Sequence, residues 1–270
     1  MTETLPVTEW GQEHDQKVVL LHGFLGTGAD WEEVATLLAG DYHVRALDLP
    51  GHGRALGLPA PAFTFGGALE RILASVADCG ERPCHLVGYS MGGRLALAAA
   101  LRAPNAFSSV VLVGASPGLL SESSRAERKA RDAVRAERIL EDFPRFLGSW
   151  YEMPLFATLT DTQRSDLFES RRKQNPEEVA HALTGLGLGS QPYLGDQVAR
   201  LSVPTISVVG EHDAKFRAIA RDMAPLKKIV IKDAGHGVLY EQPAMLANVL
   251  LRFFESLTAT HSPSSESTIA

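Results

Sequence analysis

Six short apolar runs recur along the chain with helical patterns between them: "KVVLL" (17–21), "YHVRAL" (42–47), "CHLVG" (84–88), "SVVLVG" (109–114), "PTISVVG" (204–210) and "KIVIK" (228–232). Runs this short and this rich in Val and Ile suit strands buried on both faces of a sheet, and strands that alternate with helices run parallel. Helices are expected at 29–39, 66–78, 92–102, 215–223 and 243–256, the last opening on Pro243, whose fixed φ suits a first helical turn. The expected fold class is therefore α/β, a mostly parallel sheet flanked by helices. From Ser121 to about Leu188 no strand pattern occurs, and Arg, Glu, Ala and Leu fall at helical spacing. That stretch reads as a helical cap inserted between two strands, over the C-terminal edge of the sheet. The expected organisation is a first part of the α/β core at 1–118, the cap at 119–200 and a second part of the core at 201–258. The Ser/Thr-rich residues 259–270 are expected to form a disordered tail.

A chain of 270 residues is long enough to bury such a core, and its net charge of −6 argues against nucleic acid as a partner. Cys79 and Cys84 are too few for a disulfide framework and lack metal-site company, so they are expected to be small buried residues in a reducing compartment. The acidic, polar start has no basic region followed by an apolar run, and no stretch approaches the ~18 apolar residues of a membrane span. The expectation is a soluble, cytoplasmic chain.

The chemistry gathers where the third apolar run ends. "VGYSMGGR" (87–94) holds the pattern G-x-S-x-G between a strand and a helix, the setting in which a serine is raised on a sharp turn as a nucleophile. A serine capping a helix would be the bland reading, and the strand–turn–helix context outweighs it. A serine hydroxyl needs a histidine to take its proton. His236, in "KDAGHGVLYEQP", follows the last strand, and Asp213, in "VVGEHDAKF", follows the one before it. The order Ser90, Asp213, His236 is the triad order of an α/β-hydrolase. Asp233 and Glu211 are competing acids, and Asp213 is preferred from its loop position. The His-Gly-Phe of "LLHGFLGTGADW" (20–31) resembles the loop that donates one oxyanion N–H, here from Phe24, with Met91 expected to supply the other, while His22, Asp48 and His52 read as structural.

Together these features resemble the α/β-hydrolase superfamily. More narrowly, "LHGFLGTGADW", "DLPGHG", "VGYSMGGRLAL", "SPGL", "WYEMPLF", "SRRKQNP", "GLGLGSQPYL" and "GEHDAKFRAIA" resemble the 2-succinyl-6-hydroxy-2,4-cyclohexadiene-1-carboxylate synthase family of menaquinone and phylloquinone biosynthesis. The resemblance implies a lyase that expels pyruvate from a polyanionic cyclohexene, with no metal and no cofactor. It implies substrate contacts from Tyr89 and Arg94 beside the serine, from Arg128, Trp150 and Arg171 in the cap, and from Lys215. Arg131 and Arg172 are alternatives for the cap arginines. The chain departs from the family at Leu239 or Tyr240, where members often carry a second histidine, and at Gly195, where a tryptophan often stands. Two other readings of the same residues stay open. One is a carboxylester or carbon–carbon bond hydrolase working through an acyl-Ser90, and the other is a non-catalytic ligand-binding member of the fold.

Overall fold

The computed structural model describes residues 3–259. Its strands are β1 (Val7–Trp10), β2 (Lys17–Leu21), β3 (His43–Leu47), β4 (Cys84–Tyr89), β5 (Phe107–Val113), β6 (Thr205–Gly210) and β7 (Lys227–Ile231). They form one sheet in the order β1-β3-β2-β4-β5-β6-β7. All neighbours are parallel except β1, which runs antiparallel to β3 with Val7 opposite Leu47. The chain leaves β2 towards β3 on one side and returns to β4 on the other, so the winding reverses at β2. In an open α/β sheet the crevice beyond the carboxyl ends of the strands at such a reversal is where ligands bind.

The helices are α1 (Glu32–Leu38), α2 (Phe65–Ala77), α3 (Met91–Arg102), α4 (Glu122–Glu141), α5 (Phe143–Tyr151), α6 (Asp161–Arg171), α7 (Pro176–Leu186), α8 (Ala214–Asp222), α9 (Val238–Glu241) and α10 (Pro243–Ala259). Between β5 and β6 the described chain holds α4 to α7 and no strand. None of the helices is long and apolar enough to cross a membrane. The Ser/Thr-rich stretch from residue 260 onward lies outside the described residues.

The six apolar runs are β2 to β7, with ends shifted by at most two residues. Strand β1 is the element that the periodicity misses. "VTEW" is short, half-buried throughout and carries a charge, so nothing local marks it. Its pairing with β3 makes it a strand, helped by Glu9 Oε1, which accepts from Arg45 Nε at 2.9 Å and lies 3.0 Å from His43 Nε2.

Period-two alternation divides the core between the two faces of the sheet. Val19, Leu21, Leu86, Val110 and Leu112 meet Leu95 and Ala99 of α3 and Ile72 of α2 on one face. Val18, Leu20, Val87, Val111 and Val208 meet Val34 and Leu38 of α1 and Leu250 and Phe254 of α10 on the other. Both cysteines are free and buried, and burial pushes the Cys84 thiol up to about 12. Burying one such aliphatic side chain is worth roughly 1.5–3 kcal/mol. Removing one also leaves a cavity, so Leu20→Ala is expected to cost about 2–5 kcal/mol in urea denaturation. Leu37→Ala, at a side chain 49% exposed on α1, is expected to stay within about 0.5 kcal/mol.

Candidate active site

Ser90 joins β4 to α3 at φ 51° and ψ −106°, a conformation that costs a non-glycine residue about 1–3 kcal/mol. The surroundings hold it there. Ser90 N donates to Val113 O at 2.8 Å, and Gly92 N donates to His22 O at 3.0 Å, so the turn is tied to β5 and to the loop after β2. A Cβ at Gly88 would strike the carbonyl of Gly92, and one at Gly92 would strike the carbonyl of Leu21. Helix α3 can start this close to the sheet only because both positions lack a side chain.

Ser90 Oγ lies 3.1 Å from His236 Nε2, and His236 Nδ1 lies 2.8 Å from Asp213 Oδ2. A carboxylate only accepts, so Nδ1 carries the proton and Nε2 is free to accept the serine hydroxyl. Both oxygens of Asp213 are engaged, because Oδ1 accepts the Phe216 N–H at 3.0 Å as the cap of α8. The His236 ring sits between Phe216, whose centroid is 4.4 Å away, and Gly114, where a Cβ would lie 3.0 Å from Cε1. The competing acid, Asp233, is exposed at φ 54°, and its N–H donates to Glu211 at 3.2 Å.

Phe24 and Met91 flank the serine. Among the described residues the Phe24 N–H has no acceptor, and Met91 opens α3, where N–H groups have no partner inside the helix. The Phe24 loop is shaped by two buried histidines. His22 Nε2 accepts from Leu49 N at 2.9 Å with Nδ1 2.7 Å from Gly23 O, and His52 Nε2 accepts from Leu25 N at 3.1 Å. Asp48 Oδ1 accepts from Gly28 N at 2.8 Å. All three therefore serve the loop's architecture.

A cavity of about 110 Å³ covers Ser90 and His236, lined among others by Phe24, Met91, Arg94, Arg128, Trp150 and Lys215. Two clefts of about 450 and 530 Å³ share Arg128 and Lys215 with it. Arg94 stands one turn along α3 from the serine and, among the described residues, donates only to neutral acceptors, Gln191 Oε1 at 2.9 Å and the Leu186 carbonyl at 2.8 Å. Burial, then the charge of Arg128, lowers its pKa to about 9. Lys215 is lowered too, by desolvation and then by Arg128. Arg128 Nε donates to both oxygens of Asp132, at 2.8 and 2.9 Å, which leaves the other guanidinium nitrogens without a hydrogen-bond partner among the described residues. Trp150 packs edge-on to Phe24 with centroids 5.2 Å apart.

Two expected substrate contacts are not brought to this cavity. The Tyr89 side chain is buried in the opposite core layer, its ring edge-on to Tyr240 at 6.1 Å. Strand alternation sends residue 89 to that face, beneath the serine rather than into the crevice. Arg171 is 3% exposed and donates to Asp30 Oδ2 at 2.6 Å and to the Tyr240 hydroxyl at 3.2 Å. Of the alternatives, Arg172 is half exposed and paired with Glu169, while Arg131 lines the larger of the two clefts. Motif reading missed Arg135, whose guanidinium lies 5.7 Å over the Trp150 ring, and Gln191, the buried partner of Arg94. Arg135 carried no signal beyond a charged helix, whereas Gln191 lies inside the quoted "GLGLGSQPYL".

The sequence matches the family model described as alpha/beta hydrolase fold over residues 17–243, which defines the class of fold that holds Ser90, His236 and Asp213 in hydrogen-bond contact. The 2-succinyl-6-hydroxy-2,4-cyclohexadiene-1-carboxylate synthase of Salmonella newport (strain SL254) is 35% identical over 241 residues, covering 89% of this chain and 94% of that one. A solved structure titled as MenH from S. aureus superposes with TM-score 0.86 at 29% identity, over 96% of this chain and 100% of that one. A malate-bound thermophilic esterase from Thermogutta terrifontis superposes with TM-score 0.80 at 24% identity, over 94% and 93%, and shows the fold alone. This chain belongs to the 2-succinyl-6-hydroxy-2,4-cyclohexadiene-1-carboxylate synthase family, lyases within the α/β-hydrolase superfamily.

The buried histidines carry a testable consequence for stability. Burial lowers His22 from 6.5 to about 4 and His52 from 6.5 to about 3, so both stay neutral in the folded protein. In the unfolded chain they take up protons near their ordinary value. As pH falls below 6.5 the unfolded state binds more protons than the folded one, and stability declines until the folded values are reached. The urea midpoint is expected to drop steadily between pH 6.5 and 4, and His52→Gln, which can still accept from Leu25 N, is expected to flatten that slope. A midpoint independent of pH in that window would mean that these imidazoles are not held neutral.

Proposed function

We propose that this protein eliminates pyruvate from 2-succinyl-5-enolpyruvyl-6-hydroxy-3-cyclohexene-1-carboxylate to give 2-succinyl-6-hydroxy-2,4-cyclohexadiene-1-carboxylate, as a cytoplasmic enzyme of quinone biosynthesis. The observation that carries the reading is Arg94. It is a cation in the cavity at the serine whose hydrogen-bond partners among the described residues are neutral, and a neutral ester would leave that charge unmatched. A substrate bearing several carboxylates supplies the missing anions. Arg94, Arg128 and Lys215 meet them, Trp150 forms an apolar wall, and Arg131 and Arg135 extend the positive lining outward along the larger cleft. Because the whole chain carries a charge of −6, capture depends on this local cluster rather than on the global field.

In this mechanism His236, oriented by Asp213, draws the proton from Ser90, and Ser90 removes the proton α to the succinyl ketone. The Phe24 and Met91 N–H groups receive the enolate oxygen, as they would receive any oxyanion, because both concentrate charge on one oxygen. Electrons from the enolate pass through the ring, the bond from ring carbon to enolpyruvyl oxygen breaks, and pyruvate departs. Ser90 acts as a base and is never acylated. The ring gains one double bond, and the proton taken up by the Ser90–His236 pair returns to the departing pyruvate enolate, so the step balances without an oxidant or reductant.

The deciding experiment follows pyruvate release from this substrate beside cleavage of a p-nitrophenyl ester. Fast release with negligible ester cleavage is expected, and the reverse selects a hydrolase. Ser90→Ala and His236→Ala are each expected to lower turnover by at least about a hundredfold, since triad members act as a unit. Arg94→Lys keeps the charge and loses the planar fork that binds a carboxylate twice, so the rate is expected to fall with it. Arg128→Ala is expected mainly to raise KM, by about 1.5–3 kcal/mol for a charged hydrogen bond. Arg138→Ala, on the exposed face of α4, is expected to match the wild type, and Arg94→Lys or Arg128→Ala indistinguishable from it would remove the polyanion site.

A further inference from the structure

Outside the catalytic cavity, a buried polar cluster joins three elements that are distant in sequence. Asp30 lies on the single turn Gly28–Trp31 that ends the Phe24 loop, and its Oδ2 accepts from Arg171 Nη2 of α6 at 2.6 Å and from the Tyr240 hydroxyl of α9 at 2.8 Å. Both members of the ion pair are nearly inaccessible, with side chains 3% and 6% exposed. Burial alone would lower the Arg171 guanidinium, but Asp30, with Tyr240 and Tyr151, holds it well above its ordinary value. The charge is permanently matched inside the protein.

The same helix grips both loops a second time. Gln163 Nε2, from its first turn, donates to the Tyr240 carbonyl at 2.8 Å, and Gln174, just past its end, donates to the Leu25 carbonyl at 2.5 Å. Leu25 itself, at φ 66°, is fully buried among Ile139, Phe146, Leu147 and Leu183 of the inserted helices. On the core side, a Cβ at Gly26 would lie 2.6 Å from Asp30 Oδ2, so the carboxylate packs against the loop that carries Phe24 in space only a glycine leaves open. Tyr240 follows His236 by four residues and backs onto Tyr89, whose ring is 5.5 Å from that of His236.

We infer that the Asp30–Arg171–Tyr240 cluster is a clamp that sets the position of the Phe24 N–H and of His236 relative to the inserted helices, and that Arg171 is a positioning residue for the reaction rather than a ligand of the substrate. A residue that binds a substrate carboxylate must turn donors into the cavity, whereas Arg171 is 3% exposed and does not line the cavity at Ser90, its Nη2 is spent on Asp30 and Tyr240, and its Nε is buried without a partner among the described residues. A buried, hydrogen-bonded ion pair has a fixed geometry, and removing one partner leaves the other charge stranded. An arginine bound in this way registers one element against another. The clamp is therefore expected to govern kcat, because a loosened Phe24 loop misplaces an oxyanion donor. A lost substrate contact would instead appear in KM.

The inference rests on the pyruvate-elimination reading for its kinetic test and not for its structural one. Pyruvate release is measured for the wild type, Arg171→Met, Asp30→Asn, the double variant and the milder Tyr240→Phe. Both single variants at the ion pair are expected to lose at least about tenfold in kcat with KM within about threefold. The double variant, which strands no charge, is expected to be no worse than either single one, and Tyr240→Phe to show the same pattern at about threefold. Arg171→Met raising KM with kcat kept, beside a near-normal Asp30→Asn, would make Arg171 a substrate ligand and overturn the clamp. Amide hydrogen exchange on the same proteins needs no turnover. Faster exchange at 23–30 in Arg171→Met is expected, and unchanged exchange there would overturn the clamp whatever the substrate. A wild type that releases no pyruvate would sink the proposed function and leave the exchange result standing.

Discussion

The close approach of α3 to the carboxyl ends of β2 and β4 is the constraint on which the rest of the site depends. Ser90 occupies an unfavourable backbone conformation there, held by hydrogen bonds to β5 and to the loop after β2 and by two glycines that let backbone meet backbone. That single turn lifts the serine hydroxyl to His236, brings Met91 at the start of α3 to the cavity wall, and puts Arg94 one turn along the helix in the same lining. The serine hydroxyl and the arginine beside it are thus consequences of one local geometry. A core packed on both faces of the sheet keeps the strained turn in place.

Charge is handled differently on the two sides of the serine. Below and behind it the ionisable groups are paired or kept neutral: Arg171 meets Asp30, Asp213 meets His236, and His22 and His52 are held uncharged by burial. Above it, Arg94 meets neutral acceptors, Gln191 and the Leu186 carbonyl, and Lys215 loses some of its proton affinity to desolvation and then to its cationic neighbour Arg128. Asp132 offsets part of this through Arg128 and Arg135. Leaving cations unmatched costs folding free energy, and the cost is sensible where an anionic ligand completes the set.

The inserted helices belong to the site in two distinct ways. Helices α4 and α5 contribute Arg128, Arg135 and Trp150 to the cavity and the clefts beside it, where they can touch a substrate. Helix α6 contributes no such lining at Ser90, and its Gln163 and Arg171 side chains are turned onto the His236 and Phe24 loops. Two arginines that look alike in sequence, each on a charged helix of the same insertion, therefore have separate work.

The strands β2 to β7, the helical insertion and the order Ser90, Asp213, His236 were legible in the sequence, because each rests on local signals: Val/Ile-rich runs, helical spacing, and residues placed just after predicted strands. The elbow was legible for the same reason, since its two glycines are needed at fixed offsets from the serine. What the sequence alone left open depends on partners far along the chain. Strand β1 has no local mark and exists through pairing with β3. Asp213 and Asp233 are both acids near His236 in sequence, and only the folded loops bring the first to 2.8 Å while leaving the second at the surface. The resemblance assigned Tyr89 and Arg171 to the substrate, but strand alternation turns the first into the core and Asp30, 141 residues away, claims the second. A motif specifies which side chain is present and how far it stands from its neighbours in the chain; which partner it meets is decided by tertiary packing, since burial makes an unmatched charge take the counter-ion within reach.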